Sequence, residues 1–322
     1  MPLKFELCPG RMIGGNNPCF IIAEIGQNHQ GDIEIAKKMI KMAKDCGADC
    51  AKFQKSELEY KFNKKALERP YTSKHSWGKT YGEHKRHLEF SHEQYRELQQ
   101  YAKQVGIFFT ASGMDEMAVE FLHELDVPFF KVGSGDTNNF PYLKKTAQKG
   151  RPMVVSSGMQ SMETMQHVYK IVKEHNQNFC ILQCTSAYPL EPEDVNLRVI
   201  TVINPAFFCF FLFPFNSILC STATKLATRY TILYICSVSD IPIILLLHLL
   251  FLFLGKSVVA KTSIPKGTEL TLDMLAVKVA EPKGVAPEEI FQLVGKKVTT
   301  DVEEDESITE DVVDSYGKKA KA

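Results

Sequence analysis

The sequence predicts an α/β fold of the TIM (β/α)8 barrel type, followed by a small β-rich domain. Three observations predict it. Between residues 19 and 190, short β-rich runs alternate with stretches of helical periodicity, as in a parallel sheet joined by crossover helices. Six such units follow one another, which favours a barrel over an open sheet. The polar residues gather where the runs end, on the face where barrels of this type carry their chemistry.

The six runs are residues 19–24, 49–54, 106–110, 129–136, 153–158 and 180–186. Residues 33–46, IEIAKKMIKMAKDC, place apolar side chains three and four apart with charges on the other face, an amphipathic helix. Residues 92–105, 115–125 and 161–174 read the same way, and Asp115 is an N-cap candidate. With six of eight strands readable, the barrel looks incomplete. From 200 to 254 the pattern breaks into two aromatic-rich apolar stretches around a more polar bridge. Their only formally charged residues are Lys225, Arg229 and Asp240. Each stretch is long enough by hydropathy to be read as a membrane span. Ordinary composition returns at Gly255, with turn signals at Pro265-Lys266-Gly267 and Pro282-Lys283-Gly284. The division expected is therefore a barrel domain over 1–199, an atypical segment over 200–254 and a small domain over 255–322.

Thirty-eight basic residues balance thirty-eight acidic ones, so charge offers no support for a nucleic-acid or anionic-membrane partner. Nine cysteines include no C-x-x-C pair, which weakens zinc-ribbon and thioredoxin readings. Residues 1–10 hold no continuous apolar stretch, so no signal peptide is expected and a cytoplasmic setting is the default.

The strand ends carry the candidate chemistry. FIIAEIGQNHQG, residues 20–31, ends in acid/base and hydrogen-bonding groups; a Glu24 carboxylate capping the next helix would serve equally. In AKFQK, residues 51–55, Lys52 and Gln54 point to one face. A lysine inside a barrel is costly unless it meets an anion or forms a Schiff base; a solvated strand-end lysine is the plainer alternative. KVGSGD, residues 131–136, joins Lys131 to glycines that admit a ligand. SSGM, residues 156–159, repeats the hydroxyl-rich theme, and serines with loop N–H groups cradle phosphate. The loop 71–90, rich in His, Lys and Tyr, reads as a substrate lid or a solvated excursion. His84 and His87 beside Lys85 and Arg86 argue against metal there.

The strings IIAEIGQNHQG, AKFQKSE, FFTASGMDE, FFKVGSGDTNNFPYL, SSGMQSM and CTSAYPLEPEDVNLR occur in order over residues 20–198. This ordered set resembles the N-acetylneuraminate (sialic acid) synthase family in its animal type. KSVVAKTSIPKGTELTLDMLAVKVAEPKG is similar to the antifreeze-like (SAF) domain that ends those enzymes. The resemblance implies condensation of phosphoenolpyruvate with N-acetylmannosamine 6-phosphate, or the free sugar, to N-acetylneuraminate (9-phosphate) and phosphate. It implies a divalent metal, Mn or Mg, that polarises the sugar aldehyde. Its two histidine ligands would come from strands for which residues 200–254 hold no counterpart; His248, flanked by leucines, is not accepted as one.

Carried over by motif, Lys52, Thr110, Lys131, Ser134, Ser156 and Ser186 bind phosphoenolpyruvate. Glu24 and Asp136 are catalytic, and Gln54, Tyr188 and Lys283 contact the sugar. Lys283 does so through a homodimer that exchanges the SAF domain. The alternative is a catalytically inactive isoform or gene-model variant, membrane-associated through 200–254.

Overall fold

The computed structural model describes residues 4–73, 75–186, 199, 209–211, 232–236 and 255–316. The expectations for the rest of 200–254, including the membrane spans and His248, lie outside the described residues, as does Tyr188. Two compact units share the chain. The first takes the described residues within Met1–Ser56, Leu88–Thr137 and Pro141–Leu249; the second takes those within Glu57–His87, Asn138–Phe140 and Leu250–Ala322.

In the first unit a hairpin, β1 (Lys4–Cys8) and β2 (Arg11–Gly14), precedes β3 (Phe20–Gly26), α1 (Ile33–Asp45) and β4 (Cys50–Lys55). After α2 (Leu58–Lys61), α3 (Lys64–Glu68) and α4 (Tyr81–Leu88) come α5 (His92–Val105), β5 (Phe108–Gly113) and α6 (Glu116–Glu124). β6 (Phe130–Val132), α7 (Phe140–Gln148), β7 (Met153–Ser156), α8 (Met162–His175) and β8 (Phe179–Gln183) complete the six expected strands. Two more, β9 (Cys209–Phe211) and β10 (Ile232–Cys236), come from the atypical segment. Among the described residues all eight strands from β3 to β10 form one parallel sheet. β10 pairs with β3 and β9 with β8, and β9 lies beside β10, so the sheet curls round to meet itself.

Strand alternation explains how the interior is filled. Successive side chains point to opposite faces, and one face reads Phe20, Ile22, Glu24 on β3 and Cys50, Lys52, Gln54 on β4. It continues as Phe108, Thr110, Ser112, then Phe129, Lys131, then Val154, Ser156, then Cys180, Leu182, Cys184. In every row but the last, the face is apolar at the N-terminal end and polar at the C-terminal end. The lower rows pack into one cluster with Phe5, Leu7, Cys8 and Ile13, so the hairpin plugs the bottom of the ring. Nothing in the period of residues 4–14 separates this plug from an irregular leader, and the sequence reading missed it.

Helix ends follow local chemistry. Asp32, Ser91, Asp115 and Ser161 each accept from a backbone N–H of the first turn, satisfying donors that the helix itself leaves open. The run expected at 129–136 is shorter as a strand. After Val132 the chain turns into a 3-10 helix at Ser134–Asp136, where Asp136 N–H bonds Gly133 O at 2.9 Å.

The second unit has its own core around Val258, Leu270, Leu293, Val298 and Ile308, with β11 (Ser257–Ala260) antiparallel to β12 (Leu275–Lys278). Residues 57–87, read from sequence as part of the first domain, belong to this unit. Phe62 bridges Val279, and Asn63 Oδ1 accepts from both Ala66 N–H (2.9 Å) and Glu281 N–H (3.1 Å). Within the expected lid, Trp77 stacks on His84 and His87 with ring centroids 5.6 and 4.6 Å away. Those histidines therefore pack on indole.

The plug gives a direct expectation. Ile13, fully buried, contributes transfer and packing energy that Ile13→Ala removes, lowering stability by about 2–5 kcal/mol. A urea titration of both proteins checks this; an unchanged midpoint would contradict the plugged ring.

Candidate active site

The upper rows of the ring converge on two amines. β4 carries Lys52 in register with Glu24 of β3 and Thr110 of β5. Lys52, 1% exposed, forms an ion pair with the Glu24 carboxylate and donates to Ser112 Oγ at 2.9 Å. On β6, Lys131, 3% exposed, donates to Ser156 Oγ of β7 at 2.6 Å and to Val132 O at 2.8 Å. Ser112 and Lys131 are themselves in register. Five adjacent strands thus bring a carboxylate, two amines and two hydroxyls to one place.

Burial sets the electrostatics. It disfavours the charged form of any group held out of water. The Glu24 carboxyl is pushed up by burial, against the pull of the Lys52 and Lys131 ammoniums. Lys131 is pushed down to about 8 by burial and by Lys52, with Cys184 and Glu24 opposing. Among the described residues, Glu24 Oε1 is buried with no hydrogen-bond partner. An acceptor left in that state costs about 1–3 kcal/mol, so it marks a place where a ligand or proton is expected.

The other candidates fall around this centre. Thr110 is buried in the same row, with its hydroxyl donating to Phe129 O at 2.8 Å, so it braces the entry to β6. Ser134 opens the 3-10 turn, and Ser186 follows β8. Both hydroxyls crowd the space above Gly158. Asp136 is 2% exposed and ends the same turn as Ser134. Gln54 Nε2 and Glu24 Oε1 lie 3.5 and 3.2 Å from where a Cβ on Gly26 would stand, and Gly26 has φ +58°, a left-handed conformation that favours glycine. Lys283 belongs to the second unit, where burial lowers its amine and it donates to Gly255 O.

The sequence reading assigns Ser112 no role; the Phe108, Thr110, Ser112 alternation carries that signal. It also missed what His29 does. The ring stacks on Phe90 at 4.1 Å, and its Nδ1 accepts from Gly31 N–H at 3.1 Å. Burial lowers it to about 4. A neutral imidazole therefore holds the loop after β3.

Whether these residues fit a metal can be tested on their donors. A divalent Mn or Mg ion takes about six oxygen or nitrogen ligands. Among the described residues no three His, Cys, Asp or Glu side chains converge, and Glu24 Oε1 is one oxygen on a carboxylate already paired with Lys52. The described residues do not make up such a site.

Residues 39–211 match the NeuB family and residues 255–313 the SAF domain. The human N-acetylneuraminate-9-phosphate synthase is 62% identical over an alignment 365 positions long that covers 100% of both chains. The chain is similar in fold to the crystal structure of Bacillus subtilis spore coat polysaccharide biosynthesis protein SpsE. There the TM-score is 0.76 at 21% identity, over 97% of this chain and 99% of that one. The N-acetylneuraminic acid synthetase of Leptospira borgpetersenii aligns with TM-score 0.62 at 26% identity, over 74% and 80% of the two chains. Among the described residues no helix is long and apolar enough to cross a membrane.

The depressed Lys131 amine predicts a pH dependence. Its folded value is about 8 against an ordinary 10.5. Between those limits the unfolded chain holds a proton that the folded chain has lost, so raising the pH favours folding. The stability of the native protein relative to Lys131→Met should be flat below pH 8 and rise towards 10.5. Denaturant midpoints at pH 7, 9 and 10.5 check this; a constant difference would contradict it.

Proposed function

The chain belongs to the NeuB family, as a sialic acid synthase of the animal type, and we infer that it condenses phosphoenolpyruvate with N-acetylmannosamine 6-phosphate to N-acetylneuraminate 9-phosphate and phosphate. The observation that carries the reading is the pair of buried amines at the strand ends, Lys52 paired with the Glu24 carboxylate and Lys131 donating to Ser156. Amines kept out of water call for an anion, and phosphoenolpyruvate brings a carboxylate and a phosphate. The full-length likeness to the human synthase gives the inactive-isoform alternative no added support.

In the reaction the electrons of the enol double bond form the new bond from carbon 3 to the sugar aldehyde carbon, and the aldehyde oxygen takes a proton. Water adds at carbon 2 and releases a proton. Phosphate then leaves by C–O cleavage, and carbon 2 becomes a ketone. Lys52 and Lys131 hold the anionic groups, with Ser134, Ser156 and Ser186 donating hydroxyl hydrogen bonds and Thr110 bracing the wall. Glu24, whose carboxyl is pushed up by burial, holds or moves a proton at Oε1, the part a positioned carboxyl plays in acid–base catalysis. Asp136 is the second candidate for proton transfer. Gln54 and Tyr188 are assigned to the sugar.

The family is metal-dependent in general; manganese or magnesium is our proposal for the ion, and no step above passes through it. Resemblance supports three further assignments: a cytoplasmic setting, a homodimer that exchanges the SAF domain, and Lys283 reaching the sugar. The division at 199 and 254 is our proposal from the break in the sequence pattern.

Two experiments test the reading. With both substrates and divalent metal in the buffer, the purified chain should release phosphate and form the nine-carbon product. Glu24→Gln should lower kcat by about 10²–10⁴ while still binding phosphoenolpyruvate; full activity in that variant would remove Glu24 from the chemistry. Separately, an anion beside Lys131 favours its charged form, so binding of phosphoenolpyruvate at pH 8 should take up protons. Calorimetry in buffers of different ionisation heat checks this, and no uptake would contradict the placement.

A further inference from the structure

Gly158 follows β7 and Ser157, at a place where the backbone imposes no glycine, since its φ lies outside the left-handed region. Space imposes it instead. A Cβ there would meet Ser186 Oγ and would stand 2.6 Å from Ser134 Oγ and 3.2 Å from Ser134 Cβ. These serines come from the loops after β8 and β6, on either side of β7 in the sheet.

The main chain around them is tied down. Ser134 O accepts from Gln160 Nε2 at 2.9 Å. Thr137 Oγ1 reaches Ser156 O at 2.7 Å and Gly133 O at 3.1 Å. Ser157 N–H bonds Leu182 O at 3.1 Å, and Ser157 Oγ accepts from Cys184 N–H at 3.2 Å. A methyl on residue 158 would therefore be relieved mainly by the softest freedom available, rotation of the two serine side chains to other staggered wells, with a shift of a few tenths of an ångström at Ser134 Cβ. That rotation costs little stability and aims the hydroxyls elsewhere.

We propose that Gly158 is a positioning residue for the anion cradle: its missing side chain lets the Ser134 and Ser186 hydroxyls point at one volume and donate to the same anionic group. This rests on the reading of the cradle as the phosphoenolpyruvate site. Glycine here contributes no atom to the ligand and still sets affinity for it.

Gly158→Ala tests it, read by calorimetric binding of phosphoenolpyruvate, by KM for each substrate and by melting temperature. Loss of hydrogen bonds to a charged group should weaken phosphoenolpyruvate binding about tenfold or more. KM for the sugar phosphate should stay within about twofold, with the melting temperature little changed. In a Ser134→Ala/Ser186→Ala background, itself weakened for phosphoenolpyruvate, the methyl should add less than about twofold, because its targets are gone. If Gly158→Ala alone is unstable, the triple variant should regain that stability. Native affinity in Gly158→Ala, full additivity in the triple variant, or native affinity in the double variant would each overturn the proposal. A native chain that binds phosphoenolpyruvate without turnover sinks the synthase reading and leaves this one standing; one that does not bind it sinks both.

Discussion

Two lysine amines are held out of water at the C-terminal ends of parallel strands β4 and β6, which flank β5, and the rest of the first unit follows from keeping them there. A buried ammonium is tolerated only when paired and hydrogen-bonded. Lys52 has Glu24 and Ser112; Lys131 has Ser156 and a backbone carbonyl. Each partner must arrive at a fixed height in the ring. The parallel register delivers them: Glu24, Lys52 and Thr110 in one row, with Gln54, Ser112 and Lys131 in the next. A one-residue slip of any strand would turn its polar end outward, and the apolar plug beneath disfavours such a slip.

The arrangement is poised for an anion and is incomplete without one. Lys52 and Lys131 repel each other, and the carboxylate paired with Lys52 carries one oxygen with no hydrogen-bond partner among the described residues. These are local costs that a protein bears where chemistry is done. An enolic phosphate with its own carboxylate would relieve both lysines at once. The loops after β6, β7 and β8 add hydroxyls, and those of Ser134 and Ser186 meet over Gly158.

Part of this is legible in the sequence. The alternation in residues 51–55 puts Lys52 and Gln54 on one face, and Asp115 is readable as an N-cap, which it is. Lys52, Lys131, Ser156 and Glu24 do come together. Three things were not legible. The hairpin at residues 4–14 is decided by long-range packing against Phe20 and Leu182, which leaves no periodic trace. Residues 57–69 pack through Asn63 and Phe62 on groups more than two hundred positions away. The strand expected over 129–136 ends at Val132, where the chain turns into the 3-10 helix Ser134–Asp136 closed by Asp136 N–H on Gly133 O, a local bond that hydropathy cannot register.

The most direct measurement is a crystal structure of the chain with phosphoenolpyruvate bound. The account predicts its anionic groups within hydrogen-bond distance of Lys52 Nζ and Lys131 Nζ, with Ser134 and Ser186 donating to the same ligand and Glu24 facing its reacting carbons. A ligand bound elsewhere, or lysine amines turned away from one another with no shared anion, would contradict it.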